Sequence, residues 1–200
     1  MNAGIRMMLL VCLALGFAVA SEPKTSSDSD SDSALFARVG DIEQRLLVQR
    51  NETDGSAMFR HVNSDKIPDT DPRLNLGVYE GSDDDARLVV SVVYIGKDSL
   101  AMHSAAVLVG GKRFAVDWDE SDVRRSTLPN GAVYEAHSFE PEYVLPLAVS
   151  KAPADTVIKV QLAGSKGSSS FTMSALERQA WREMLYYYDH FGYRNRKLGP

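Results

Sequence analysis

Two apolar runs joined by a pair of glycines constrain this chain more than any other feature. In HSAAVLVGGKRFAVDWD, residues 103–119, the run ending at Val109 and the run centred on Phe114 flank Gly110 and Gly111. A two-residue linker is too short for a crossover, so the runs can pair only as antiparallel neighbours, and glycine at both central positions suits a turn that needs positive φ twice. Pairing Val109 with Lys112 sets the register: Val107 meets Phe114 and Ala105 meets Val116 on the better core face, while Leu108 and Arg113 share the other. A phosphate-cradling glycine loop is the competing reading, but no helical pattern or Ser/Thr follows at P-loop spacing.

The rest of the chain beyond Leu74 carries the same β signature. RLVVSVVYIG, residues 87–96, is a β-branched run ended by Gly96, and TVIKVQLAG, residues 156–164, alternates Ile158, Val160 and Leu162 against Lys159 and Gln161 as a half-buried strand does. In STLPNGAVYEA, Asn130 and Gly131 are placed to take the positive φ angles of a second tight reversal. EYVLPLAVSKAPAD, interrupted by Pro146, reads as a short helix or an irregular crossover.

A Gly/Ser loop then leads through a short strand at Phe171 into a final helix. Ser174 and Glu177 have capping-box spacing, the hydroxyl taking an orphan backbone amide while the carboxylate reaches back. At 100° per residue, Leu176, Ala180, Met184, Tyr187 and Phe191 fall on one face, with Trp181 and Tyr188 flanking it. The three consecutive tyrosines of LYYYDHF, residues 185–191, cannot all enter one core: Tyr187 packs, Tyr188 sits at the margin, and Tyr186 is expected outside, aligned with Arg182 and His190 at spacings of four. That Arg182, Tyr186 and His190 ridge reads either as a solvated helix face or as a partner contact, since Tyr and Arg are favoured interface anchors.

The strand ending at Gly164, followed by SFTMSALERQAW and an aromatic helix, resembles the end of small exported bacterial domains without an assigned activity, in which F-T-(Leu/Met)-(Ser/Thr)-x-x-E opens a final helix. The resemblance covers the strand pattern from Ala86 to Asp189, and its sharp motif is Phe171 to Glu177. It implies a compact β domain with a terminal helix in the cell envelope, and brings no catalytic residues with it.

The N-terminus agrees with export. Arg6 precedes an apolar run of 14 residues, Met7 to Ala20, that ends small-x-small at Ala18, Val19 and Ala20, which is the pattern of a secretory signal cleaved after Ala20. The run is shorter than the ~20 residues of a membrane-spanning helix. The single cysteine, Cys12, lies inside it; the bulky Val11 and the continuing apolar run argue against lipid attachment there. Loss of residues 1–20 leaves 180 residues with 21 basic and 27 acidic side chains, a balance that disfavours nucleic acid and anionic membrane as partners. Without cysteine, the mature chain must hold together by core burial.

Three segments precede the β region. Residues 21–33, SEPKTSSDSDSDS, offer nothing to bury and read as a disordered Ser/Asp tether, whose aspartates form no fixed calcium cage. Leu35, Val39, Ile42 and Leu46, spaced four, three and four, predict a helix over residues 34–50, either docked on the main domain or forming a short coiled coil. Residues 51–73 are crowded with turn formers and read as a linker with a short ordered piece at Met58 to Val62; the N-E-T at Asn51 is a sequon of the kind that arises by chance. The main unit is then residues 74–191, with a tail at 192–200.

Chemistry is sparse. There is no G-x-S-x-G elbow, H-E-x-x-H or Cys/His metal spacing, and His61, His103, His137 and His190 are scattered. Asp117, Asp119 and Ser121 begin like a calcium loop, but Asp122 stands where that loop needs Gly and Leu128 where it needs the bidentate Glu. The expectation is an α+β fold, an antiparallel sheet or sandwich with an N-terminal helix and a C-terminal amphipathic helix. Its expected role is binding or scaffolding in the cell envelope, with a protein partner and without cofactor or metal; the alternative is a periplasmic hydrolase whose site is assembled from dispersed His and carboxylate groups. Oligomeric state is open at this level.

Overall fold

The computed structural model describes residues 27–68, 70–81 and 85–197, with side chains from 33 to 190 inside those spans. Among them the chain forms three helices and ten strands in two antiparallel sheets, an α+β fold with a C-terminal helix. Helix α1 (Ser27–Glu43) leads into strands β1 (Leu46–Arg50), β2 (Ala57–His61), β3 (Arg73–Glu80) and β4 (Ala86–Gly96). The chain then crosses to a second sheet for β5 (Met102–Val109) and β6 (Lys112–Asp117), and returns for β7 (Arg124–Thr127) and β8 (Val133–Phe139). Helix α2 (Val144–Lys151), strands β9 (Ile158–Gly164) and β10 (Gly167–Thr172), and helix α3 (Ala175–Lys197) complete it. The larger sheet has the order β1-β2-β3-β4-β8-β7 and the smaller β10-β9-β5-β6.

The glycine hairpin forms as the sequence dictates. Val109 pairs with Lys112, Val107 with Phe114 and Ala105 with Val116, and Gly110 and Gly111 take φ of 53° and 81°, the doubly left-handed turn whose twist matches the strands. The second reversal differs in detail. Only Gly131 has positive φ, 82°; the Gly131 amide donates to the Leu128 carbonyl at 2.9 Å, so Pro129 and Asn130 occupy the centre of a type I turn with Gly131 as its left-handed exit. Asn130 instead uses its side-chain oxygen to accept from the Ala132 amide at 3.0 Å. The Pro146 segment resolves as helix α2, with the proline in the first turn, where its missing N–H needs no partner.

The N-terminal third departs from expectation. The helix ends at Glu43, not near Arg50, and residues 46–50 form β1, which pairs with β2 from Leu46↔His61 to Arg50↔Ala57. The apolar stripe behind the expected helix is real up to Val39 and Ile42, both buried. Beyond them, Leu46-Leu47-Val48 has a strand partner available across the Asn51 to Ser56 turn, held by the Thr53 and Ser56 amides donating to the side chains of Asn51 and Asp54 and by Gly55 at φ 76°. A full ladder satisfies this backbone better than one more helical turn would. The expected linker 51–73 therefore contains β2 and a 3-10 turn, Val62–Lys66. The part of the Ser/Asp segment that is described, from Ser27, is helical; aspartates at a helix N-terminus favour the macrodipole. The expected tail at 192–200 continues α3 to Lys197. The export signal lies outside the described residues.

A single core joins both sheets and the helices. Leu74, Leu76, Val78, Leu88, Val90 and Val92 face it from the larger sheet, and Ala105, Val107, Val109, Ile158, Val160 and Leu162 from the smaller. Helix α3 packs over β2 and β3, and Trp181, fully buried, donates from its indole to the Leu74 carbonyl at 2.9 Å. Burial of each such Leu, Ile or Val contributes about 1.5–3 kcal/mol. The capping box forms, with the Ser174 amide donating to Glu177 at 2.6 Å and the Glu177 amide to the Ser174 hydroxyl at 3.2 Å. Glu177 also accepts from the Leu74 amide at 3.0 Å. The buried face of α3 is rotated from the apolar wheel: Leu176 is 39% exposed while Leu185 is buried. The rotation follows two buried polar residues, Glu177 and Arg178, the latter donating to the carbonyls of Ala152, Pro153, Ala154 and Thr156. The side chain of Phe191 lies outside the described residues.

Candidate functional site

The outer face of the larger sheet forms an open trough of about 940 Å³. Strand alternation builds it. With Leu74, Leu76 and Val78 committed to the core, Arg73, Asn75 and Gly77 must point the other way. Register then assembles rows from strands far apart in sequence: Arg73 lies beside Val93, Val93 beside Ala136, and Ala136 beside Arg124. The two arginines stand three strand spacings apart, about 14 Å. Next to this row Asn75, Ser91 and Ser138 align, the two serine hydroxyls 2.8 Å apart. A further row places Arg60 beside Gly77 and Gly77 beside Val89. A side chain at position 77 would meet the Phe59 carbonyl oxygen at 3.0 Å and the Met58 sulfur at 3.2 Å, so the thioether of Met58 fills the floor there.

The trough carries three arginines, Arg60, Arg73 and Arg124, on a floor of mixed polar and apolar side chains. Arg60 stands 3.9 Å from Asp65, both largely exposed, a loose surface pair that neutralises little. Arg73 donates to the Pro68 carbonyl at 3.3 Å. Arg124 is exposed and makes no ion pair among the described residues. Asp65 and Asp122 sit among the lining residues, with no histidine–carboxylate pair between them.

Such a pair exists elsewhere, and it is closed. Fully buried His61 contacts Glu183 at 2.7 Å through Nε2, while its Nδ1 accepts from the Asn63 amide at 3.1 Å. Acceptance at Nδ1 assigns the ring proton of the neutral imidazole to Nε2, which donates it to Glu183. Both nitrogens are engaged, leaving no lone pair for a substrate proton. Arg45 donates to the same Glu183 oxygen at 2.9 Å. Burial pushes the Glu183 carboxyl up, but hydrogen bonds from Gln179, Arg45 and His61 more than offset it, holding the group below its ordinary value. The cluster ties the β1 entrance and the 3-10 turn to α3.

Glu135 on β8 is a carboxylate fully enclosed by the fold. It accepts from the Ser99 hydroxyl at 2.6 Å and the amides of Ala101 and Met102 at 3.0 and 2.9 Å, where the chain crosses between sheets and Ala101 takes φ 53°. Burial raises this carboxyl; the bonds from Ser99, Met102 and Ala101, with the charge of Arg125, lower it further, and the balance is below its ordinary value.

The ridge expected on α3 is engaged within the chain. Tyr186 is half-buried, not exposed: the guanidinium of Arg38 on α1 lies 3.9 Å from its ring centroid, and His190 stacks on it at 4.2 Å. Arg182 is exposed and donates to the Arg178 carbonyl at 3.3 Å. Tyr187 is buried and Tyr188 half-buried, as the wheel predicts. Of the remaining histidines, His137 is among the trough's lining residues and its ring stacks on Trp118 at 4.5 Å, and His103 is exposed on β5. Asp119 caps a short 3-10 turn, accepting from the Ser121 amide and hydroxyl at 3.0 and 2.9 Å. Among the described residues no cluster of His, Cys, Asp and Glu has metal-ligand geometry, and no helix is long and apolar enough to cross a membrane.

Sequence reasoning missed the trough because two of its arginines, Arg60 and Arg73, fall in the expected linker. The available signal was the alternation of Arg73, Asn75 and Gly77 against Leu74, Leu76 and Val78. Comparison with protein-family models, curated proteins and solved structures returns no match for the chain.

Proposed function

We propose that this chain is an exported cell-envelope protein that acts by binding, without catalysis, and that it receives its partner in the trough of the larger sheet. The observation that carries the reading is the row Arg73, Val93, Ala136 and Arg124, which sets two arginine positions about 14 Å apart across Val93 and Ala136. Guanidinium groups favour carboxylates through forked hydrogen bonds, so the partner that fits is an acidic, extended stretch of protein. The acid–base groups that chemistry would need support the same reading: His61 and Glu183 are committed to each other and to Asn63, Arg45 and Gln179, and Glu135 to the crossover. Export rests on the charged start, apolar run and Ala18-Val19-Ala20 ending of the sequence.

The test is affinity capture from envelope extract with the wild-type protein and with Arg124→Glu, a surface change expected to leave folding within about 0.5 kcal/mol. A protein retained by the wild type and by Tyr186→Ala, but lost with Arg124→Glu, supports the trough. Equal retention by wild type and Arg124→Glu refutes it.

A further inference from the structure

Strand β10 ends the smaller sheet, and its sequence GSSSFT contains neither a charge nor a proline. The other three sheet edges are guarded. Strand β6 carries Lys112, Arg113 and Asp117, β7 carries Arg124 and Arg125, and β1 carries Arg50. Charges and prolines on an edge are the usual means of preventing strand addition, and β10 is the edge strand of the described fold that carries neither, whereas β1 keeps its single charge at its last residue.

The hairpin geometry specifies which groups it offers. Gly164 and Gly167 face each other across a two-residue turn, Leu162 faces Ser169, and Val160 faces Phe171. In an antiparallel ladder these alternate positions exchange hydrogen bonds within the hairpin, and the intervening residues point their N–H and C=O groups outward. Ser168, Ser170 and Thr172 therefore present backbone donors and acceptors along the free edge, and their side chains are exposed. No described residue outside the sheet hydrogen-bonds to them.

We propose that this edge pairs with the same edge of a second copy of the chain, making one continuous eight-stranded sheet. The edge is self-complementary about a two-fold axis at Ser170. Ser170 meets its own equivalent, and Ser168 meets Thr172 of the other copy, giving three narrow pairs with roughly six backbone hydrogen bonds. Hydroxyl side chains then face hydroxyl side chains, a favourable cross-strand combination, and the half-buried Phe171 rings become diagonal neighbours. The flanking charges, Lys159 beside Thr172 and Lys166 just before Gly167, are carried away from their equivalents by the antiparallel arrangement, so no like charges stand directly opposite each other. Self-pairing is favoured over addition of a charged foreign strand because nothing in β10 selects a charge.

Sedimentation equilibrium of the purified protein over the micromolar to millimolar range tests the proposal, with Ser170→Lys and Ser170→Pro as variants. Lysine at the axis sets two ammonium groups directly opposite. Proline removes only an outward N–H, which an edge position tolerates within one copy. The wild type is expected to reach twice the chain mass, and both variants to remain at one chain mass and folded, with the thermal midpoint of the dilute wild type. A wild type that stays at one chain mass, or variants that still dimerise, overturns the proposal. Should either variant unfold, amide exchange of the wild type decides: Ser168, Ser170 and Thr172 are expected to be protected at high concentration and to exchange fast on dilution, and exchange independent of concentration overturns the pairing. Arg124→Glu, in the trough, is expected to leave dimerisation unchanged, which separates this edge from the proposed binding face.

Discussion

Replacing Glu135 with Gln isolates the bond that holds the two sheets in register at their crossover. The side chain is 0% exposed and its two oxygens accept three bonds, from Ser99 and Ala101 on one and Met102 on the other. Glutamine preserves the volume but turns one acceptor into a donor. Whichever way the amide points, it opposes a backbone N–H of Ala101 or Met102, while the surviving bonds lose their charge. Losing one bond to a charged acceptor costs about 1.5–3 kcal/mol, and weakening the others brings the total to about 2–4 kcal/mol. For a chain of this size that corresponds to a fall in thermal midpoint of about 4–16 °C. Arg125, 3.7 Å away and partly exposed, is a weaker partner, so Arg125→Ala should stay within about 1 kcal/mol. The pH dependence has a definite sign. A carboxyl lowered by folding below its ordinary 4.5 contributes stability that is fully present above that value and lost as pH falls through the lowered folded value. Differential scanning calorimetry from pH 7 down to about 3 should show the Glu135→Gln deficit shrinking in acid as the wild type loses this contribution. A variant as stable as the wild type at pH 7 would refute the clamp.

Three further outcomes test the fold. Substituting Val for both Gly110 and Gly111 places β-branched residues at φ of 53° and 81° with open space around them. The cost is therefore backbone strain alone, about 1–2 kcal/mol per site, read from the urea midpoint. Trp181→Ala should cost about 3–5 kcal/mol by leaving a cavity under the indole, and Leu176→Ala, on the same helix but 39% exposed, less than about 1 kcal/mol; the reverse order would place the wrong face of α3 in the core. Tyr186→Ala removes the ring that Arg38 and His190 contact, at about 0.5–1.5 kcal/mol, and should speed amide exchange throughout α1; unchanged exchange would mean that α1 is held by Val39 and Ile42 without it.

How much of this was legible depended on the range of the interaction. The Gly110-Gly111 hairpin and the Ser174–Glu177 box were readable because each is decided within a few residues, by φ in one case and by a three-residue reach in the other. The face of α3 was read in part: Ala180, Met184 and Tyr187 are buried as the wheel places them, but Leu176 is not, because a wheel of apolar residues ignores Glu177 and Arg178, whose burial depends on the Leu74 amide and on carbonyls between Ala152 and Thr156. The fate of Leu46 was likewise set by β2, a partner beyond a turn. The trough was the least legible feature, since its rows gather Arg60, Arg73, Val93, Arg124 and Ser138 from five strands and exist only once register is known.

Site-specific photo-cross-linking in the native host cell tests the binding reading most directly. A photoreactive side chain at exposed Ser138, inside the trough, is compared with one at exposed Lys151 on α2, outside it. A discrete adduct from position 138 that disappears with Arg124→Glu, with none from position 151, is the predicted result. Adducts from 151 alone, or an adduct from 138 indifferent to Arg124→Glu, would contradict the account.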